Sequence, residues 1–342
     1  MLRNALVEYR PYTSLRLKLL EGCQLHCRFC HHEGNASARL VEVETAVQSA
    51  LKMRSALGLN KVHLTGGEPT LYPHLFELIE RLASHHFQVA ITSHGLFSEE
   101  KCQRLCRLLK QGDLTYMNFS LHTLNPRQHL VINGRIQTEA NYQDADEALR
   151  MITANITQLA QVGTVNINCV VADESESLVE VFNFARQNQI ALRLVPDWTA
   201  LTAAHRTIGT FLKERQAEFS TFVVVYPTSN YSARYLVDGM NLDVKLIRPV
   251  GLDSLCTGCA FIQSCVEFFG NVRLEGNPLH VRLCIHRHGQ PYTLPLQQFL
   301  ESAQCRELRH RLLEPPPTIS NPPIGGLREP FGIREPFMLE PS

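Results

Sequence analysis

A chain of 342 residues, 44% of them hydrophobic, is long enough to bury a large core. Its 33 Lys and Arg balance its 33 Asp and Glu, so no bulk field draws it to DNA or to an anionic membrane. Residues Met1 to Thr13 lack the apolar core of a signal peptide, and no apolar run reaches the roughly 18 residues of a spanning helix, so the expected address is the cytoplasm.

In chain order, Leu15–Leu20 reads as a strand, Glu42–Leu57 as a helix and Val62–Thr65 as a strand. His74–Ala83 is helical and Phe87–Thr92 extended. Ser98–Leu109 is a helix with Ser98 as N-cap and Glu99 and Glu100 at its positive end. Met117–Leu121 is a strand and Tyr142–Val162 a long helix. Val165–Val171 is a strand rich in β-branched residues, Ser177–Gln187 a helix and Leu192–Val195 a strand. Six strands alternating with five helices predict an α/β fold with parallel strands and right-handed crossovers, an open, partial (β/α)6 barrel of the TIM type. Such barrels place their chemistry at the C-terminal ends of the strands. The expected organisation is an N-terminal extension (1–13), a barrel core (14–225), a smaller cysteine-marked region (226–312) and a Pro-rich tail (313–342).

Eleven cysteines, an odd number, do not complete a disulfide framework, and clustered cysteines in a reducing compartment point to metal. Seven fall in two clusters: Cys23, Cys27 and Cys30, then Cys256, Cys259, Cys265 and Cys284. Cys102, Cys106, Cys169 and Cys305 stand apart and read as structural. The first cluster has C-x3-C-x2-C spacing. Thiolates suit iron–sulfur clusters or zinc. Three of them leave one iron of a [4Fe-4S] cubane open to a ligand. A structural zinc takes four ligands, and His31 or His32 is then the fourth.

The run Cys23-Gln24-Leu25-His26-Cys27-Arg28-Phe29-Cys30, with an aromatic residue before the last cysteine, resembles the motif of the radical S-adenosylmethionine (SAM) superfamily. Leu64-Thr65-Gly66-Gly67-Glu68-Pro69 is similar to that family's G-G-E-P element. The resemblance implies that Gly66, Gly67, Glu68 and Pro69 hold the methionyl amino group, with glycines that let backbone approach the ligand. Thr92-Ser93-His94-Gly95 is similar to T-T-N-G, with His94 in place of Asn, and implies SAM contacts from Thr92 and His94. Asn118-Phe119-Ser120-Leu121-His122 resembles V-S-L-D, which sets Ser120 near the SAM ribose or carboxylate and His122 in place of Asp. The cofactors so implied are a [4Fe-4S] cluster on Cys23, Cys27 and Cys30 together with SAM, and the implied partner is a flavodoxin- or ferredoxin-type electron donor.

Within the superfamily, the chain resembles the molybdenum-cofactor branch of GTP 3′,8-cyclase. The resemblance rests on Leu15-Arg16-Leu17, Cys30-His31-His32-Glu33-Gly34, Leu192-Arg193-Leu194-Val195, Ser232-Ala233-Arg234-Tyr235, Val244-Lys245-Leu246-Ile247-Arg248-Pro249 and Cys256-Thr257-Gly258-Cys259. It implies a nucleotide-like small-molecule substrate met by Arg16, Arg193 and Arg273. It also implies a second, auxiliary [4Fe-4S] cluster in the C-terminal region on Cys256, Cys259 and Cys284, with zinc as the alternative metal. If Cys265 also ligates, that cluster is closed; if not, it keeps an open iron. Three of the chain's departures from the branch bear on its cationic contacts. Ala260-Phe261-Ile262-Gln263 stands where C-N-R-x-R is expected, Thr70-Leu71-Tyr72 lacks a basic residue, and Asn166 replaces a strand lysine. A triphosphate needs several cationic contacts, so these losses weaken the match to GTP. Cys265 and the Ser-Leu-His at 120–122 favour a second reading, modification of a peptide. A third, of a different class, is a metal-binding scaffold without catalysis.

Overall fold

The computed structural model describes residues 7–30, 40–133, 145–172, 175–228, 230–247, 251–260, 272–284, 286–287 and 289–314. Cys265, His31, His32, Arg248 and nearly all of the Pro-rich tail lie outside these residues.

Strands β2 (Ser14–Lys18), β3 (Lys61–Thr65), β4 (Gln88–Ser93), β5 (Tyr116–Ser120), β6 (Val165–Val171) and β7 (Ala191–Pro196) are neighbours in chain order, each pair parallel. This is the six-stranded partial barrel that the alternating pattern predicts. Strand alternation sorts the side chains. Leu15, Leu17, Val62, Leu64, Met117, Phe119 and Ile167 are fully buried in the apolar core. The alternate positions Arg16, His63, Thr92, Asn118, Asn166 and Arg193 form a second, polar face, and Arg16 and Thr92 on it line a cavity.

Helices cover the apolar face: α1 (Val43–Leu57), α2 (Leu75–Ser84), α3 (Glu99–Gln111), α5 (Ala145–Ala160), α6 (Ser175–Gln187) and α7 (Leu201–Glu214), while α4 (Pro126–Asn133) packs against α5. In α1 the buried Val43, Ala46, Val47, Ala50, Met53 and Leu57 recur at helical spacing, and the helix stops at Gly58 in a left-handed conformation. Burying each large aliphatic side chain of this kind contributes about 1.5–3 kcal/mol. Helix α3 begins as expected, with the Ser98 hydroxyl accepting from the Lys101 N–H at 3.4 Å.

Three features depart from the sequence reading. The segment read as an extension enters the sheet as β1 (Val7–Pro11). Helix α4 was not foreseen. The sheet also continues past residue 214 through β8 (Glu218–Tyr226), β9 (Asn230–Val237) and β10 (Met240–Ile247). Strand β8 pairs parallel with β1, β9 runs antiparallel to β8 and β10, and β10 lies parallel to β7. Residues 225 and 226, on either side of the expected domain boundary, therefore belong to one strand.

Among the described residues the later elements are α8 (Asp253–Cys256), β11 (Val272–Glu275), β12 (His280–Arg282), β13 (Thr293–Pro295), α9 (Leu296–Glu301) and α10 (Ala303–Leu313). Strand β11 joins the opposite flank, parallel to β2, and β12 and β13 follow antiparallel. The result is one 13-stranded sheet with the six-stranded barrel at its centre. Among the described residues no helix is long and apolar enough to cross a membrane.

Candidate active site

The loops after β2, β3, β4 and β5 meet around a cavity of about 420 Å³. Cys23, Cys27 and Cys30 line it with Gly66, Gly67, Glu68, Thr92, His94, Ser120 and Arg16. Every proposed first-cluster ligand and, apart from Pro69, every proposed SAM-contacting residue is thus brought to one place. Pro69 opens the 3-10 turn Pro69–Leu71 immediately behind Glu68.

The glycine pair is explained by contact. The Gly67 N–H donates to the Leu20 carbonyl at 2.9 Å, and the Glu68 N–H donates to the Gly22 carbonyl at 2.8 Å. The loop after β3 is therefore laced to the segment that enters the cysteine loop. A Cβ on Gly67 would lie 2.0 Å from the Gly22 carbonyl oxygen, and one on Gly66 would lie 2.7 Å from the Leu20 oxygen. No side chain fits at either position.

The carboxylate of Glu68 is 1% exposed and already engaged. It accepts from the Thr70 N–H at 3.0 Å and from the His94 N–H at 2.9 Å. This carboxylate holds the loop together, which leaves backbone groups of the turn to face the cavity. His94 is likewise a tie. Its Nδ1 accepts from the Leu96 N–H at 3.0 Å, so its hydrogen sits on Nε2, 2.9 Å from Gln24 Oε1 and 3.3 Å from Glu68 Oε2. Burial lowers the His94 pKa, and nearby Glu68 opposes that shift. His94 thus joins the cysteine loop to the loops after β3 and β4.

Burial raises the thiols of Cys23 and Cys27 to about 12 each. For Cys23, the charges of Glu68, Cys27 and Cys30 add to the effect; for Cys27, Cys30 does. Packed thiols of this kind ionise only against a compensating positive charge, which a metal centre supplies. Three soft donors around one cavity fit an iron–sulfur cluster. Among the described residues no three His, Cys, Asp or Glu side chains gather to hold a single metal ion.

Helix α4 braces this loop. A helix leaves its last carbonyls without intrahelical partners. Here the Ile132 carbonyl accepts from Arg28 N–H at 3.1 Å, and the Asn133 carbonyl accepts from His26 N–H at 2.9 Å. The Asn133 side chain contacts Cys27. The sequence does carry a signal for α4: Asn125 Oδ1 accepts from the Arg127 and Gln128 N–H groups, with Pro126 at the first helical position.

Deeper in the barrel, Arg16 sits in register with His63 on β3 and with Arg273 on β11. Arg273 is buried and also pairs in register with Arg282 on β12. His63 Nε2 meets Thr92 Oγ1 at 2.6 Å, and burial, with Arg16 and Lys61 nearby, holds its pKa near 3. Tyr116 stands between Arg16 and Arg193; burial raises its pKa and the two cations partly offset the rise. Of the three arginines expected at the substrate, Arg16 lines the cavity. Arg193 instead donates to Asn230 Oδ1 at 2.8 Å and to Ser232 Oγ at 3.2 Å. Asn166, in the place of a lysine, donates to Asn118 Oδ1 at 3.0 Å.

Cys259 and Cys284 each lie within electrostatic reach of Cys256. Burial raises the Cys256 thiol to about 11, with Cys259, Cys284 and Glu307 adding to it. Cys284 follows β12, which runs antiparallel to β11, and so lies toward the N-terminal ends of β2 and β11. The first cysteine loop is at the other end of β2. Cys102, Cys106, Cys169 and Cys305 are buried free thiols.

The Radical SAM superfamily model matches residues 17–185. The chain is 26% identical over 262 residues to the probable GTP 3′,8-cyclase of Pyrococcus horikoshii, covering 74% of this chain and 81% of that one. It is also 26% identical over 266 residues to the probable GTP 3′,8-cyclase of Methanothermobacter thermautotrophicus, again covering 74% and 81%. Among solved structures, that of Streptococcus suis SuiB shares the fold with a TM-score of 0.58 at 14% identity, over 87% of this chain and 65% of that one.

Proposed function

The chain belongs to the radical SAM superfamily, and from that premise we propose that it carries out radical chemistry on a small, anionic, nucleotide-like substrate held inside the barrel. One observation carries the substrate reading: Arg16 lines the same cavity as the three cysteines, and Arg273 stands beside it in register.

In this reading, Cys23, Cys27 and Cys30 hold a [4Fe-4S] cluster, and Gly66, Gly67, Glu68, Pro69, Thr92, His94 and Ser120 form the SAM site. When bound, cluster and SAM supply a one-electron reductive cleavage that yields a 5′-deoxyadenosyl radical able to remove hydrogen from substrate. The chain's own residues position and shield. The close-packed glycine turn fixes the SAM-facing backbone against the cysteine loop, and His94 locks the two loops to each other. The apolar strand faces and their helices keep bulk water from the barrel. Arg16 and Arg273 orient the anionic part of the substrate, and Arg193 stands further along the same polar face. Cys256, Cys259 and Cys284 hold an auxiliary cluster, with Cys265 as a candidate fourth ligand. Cys284 lies toward the strand ends opposite the first cysteine loop, which supports a substrate bound between two metal centres. Similarity to probable GTP 3′,8-cyclases supports a rearranging or cyclising reaction. The neutral Asn166 and Thr70-Leu71-Tyr72 argue for fewer phosphate contacts than GTP needs.

The test is anaerobic reconstitution with iron and sulfide, then reduction in the presence of SAM with and without GTP, reading 5′-deoxyadenosine. A rise that depends on GTP and is lost in Cys23→Ala supports the cyclase reaction. SAM cleavage indifferent to GTP moves the substrate to nucleosides or a peptide. No cleavage by a fully loaded protein overturns the reading.

A further inference from the structure

The side chain that touches Cys27 is the last residue of α4. Asn133 is 4% exposed, and its amide makes two contacts. One amide atom lies 3.4 Å from Cys27 Sγ and the other lies 2.8 Å from His129 Nδ1. A half-turn of the amide exchanges its oxygen and nitrogen at nearly the same positions, so the partners decide which atom faces which.

His129 decides it. Its Nε2 is buried and has no hydrogen-bond partner among the described residues. A neutral imidazole carries one N–H. If the amide nitrogen donates to Nδ1, that N–H must sit on Nε2, as a buried donor with nothing to accept it. If the amide is reversed, His129 carries its hydrogen on Nδ1 and donates to the Asn133 oxygen. Only a lone pair is then left on Nε2. Buried orphan donors are rarer than under-used acceptors. The reversed amide turns its NH2 toward Cys27 Sγ. A ligating thiolate has no hydrogen to give and can only accept, so this orientation also suits a metal-bound Cys27.

We propose that Asn133, oriented by His129, donates an N–H···S hydrogen bond to the Cys27 thiolate and so raises the reduction potential of the cluster bound there. The inference rests on the reading of Cys27 as a cluster ligand. An added electron is shared between the irons and their thiolates. A donor aimed at a ligating sulfur therefore stabilises the reduced cluster more than the oxidised one. Asn133 is a positioning residue in this scheme. The backbone carbonyls of Ile132 and Asn133, which brace the loop, are untouched by a change of its side chain.

The experiment uses anaerobically reconstituted protein with two variants, Asn133→Leu and His129→Phe. Iron content and the electron paramagnetic resonance of the reduced cluster establish loading, and spectroelectrochemistry reads the potential. Asn133→Leu keeps the volume and removes the donor. We expect normal loading, a potential shifted negative, and an equilibrium constant for reduction lower on the order of tenfold. His129→Phe frees the amide to turn and shifts the potential the same way by less. If the amide oxygen faces the sulfur instead, Asn133→Leu shifts the potential positive. That sign, or no shift in either variant, overturns the proposal. If Asn133→Leu does not load, His129→Phe, which removes no contact to Cys27, reads the same sign. A wild-type protein that takes up no cluster sinks the ligation reading itself, and this inference with it. Loaded variants with an unchanged potential sink this inference alone.

Discussion

Replacing Gly67 with alanine puts a methyl group where there is already backbone. The new Cβ would lie 2.0 Å from the Gly22 oxygen, 2.4 Å from its carbonyl carbon and 2.8 Å from the Glu21 oxygen. Ordinary contact begins near 3.4 Å, so the two loops must separate by more than 1 Å. None of the obstructing atoms is the far end of a flexible side chain. Separation breaks the Gly67 N–H to Leu20 and Glu68 N–H to Gly22 bonds, worth about 1 kcal/mol each. Overpacking of this kind adds about 1–3 kcal/mol. Gly67→Ala should therefore lose about 3–5 kcal/mol of stability, and its cysteine loop should lose register with the glycine turn. Urea denaturation measures the first effect, and SAM binding by the reconstituted protein measures the second, expected to fall at least tenfold. Gly58→Ala is the control. Gly58, unlike Gly67, is at positive φ, and it has nothing within 4 Å of its ideal Cβ, so its replacement should cost about 1–2 kcal/mol of backbone strain and leave SAM binding unchanged. If Gly67→Ala binds SAM like the wild type and is no less stable than Gly58→Ala, the account of the glycine turn is wrong.

Stability should also depend on pH through the buried imidazoles. Burial holds His63 and His122 near 3 and His129 near 4, all below the 6.5 of a free histidine. Their contribution is fully present above pH 6.5 and is lost as pH falls from there toward 4 for His129 and toward 3 for His63 and His122, because the unfolded chain takes up protons first. Three such groups give a slope of at most about 4 kcal/mol per pH unit, and a flat urea midpoint between pH 7 and pH 5 contradicts their neutral burial. Arg273→Ala should raise the half-saturating substrate concentration about tenfold or more and leave SAM affinity alone. A loss of SAM affinity instead would move Arg273 out of the substrate role. Glu307 accepts from the N–H groups of Asp253 and Ser254 at 2.6 and 3.0 Å and pairs with Arg311 at 2.8 Å, bracing the segment that carries Cys256. Glu307→Gln should cost about 1–2 kcal/mol and, in a protein carrying the proposed auxiliary cluster, speed iron loss to a chelator from that C-terminal site only. Equal loss from both sites contradicts that local role.

The parts of the site legible in the sequence are those held within a single loop. Cys23, Cys27 and Cys30, Gly66 to Pro69, Thr92 to Gly95 and Ser120 each follow a strand whose apolar alternation is plain, so their place at the strand ends could be read directly. Helix α4 was harder. Its eight residues leave Leu130 and Val131 exposed, so its hydrophobic periodicity is weak, and only the Asn125-Pro126 start marks it. Strands β11, β12 and β13 have four, three and three residues, too few for alternation to stand out. His94 and Glu68 look in the sequence like groups offered to a ligand. Their hydrogen bonds to Gln24, Leu96 and Thr70 instead close the loops on one another.

From the sequence alone came the six-stranded barrel and the strand ends at which the cysteine and glycine loops gather. These depend on short-range periodicity and spacing, which neighbouring residues carry between them. Tertiary structure alone decided that β11 pairs with β2, bringing Arg273 beside Arg16, and that Asn133 reaches Cys27, 106 positions away in the chain. Contacts of that kind depend on how the whole sheet closes and on which buried polar atom finds a partner, and no local pattern in the chain encodes either.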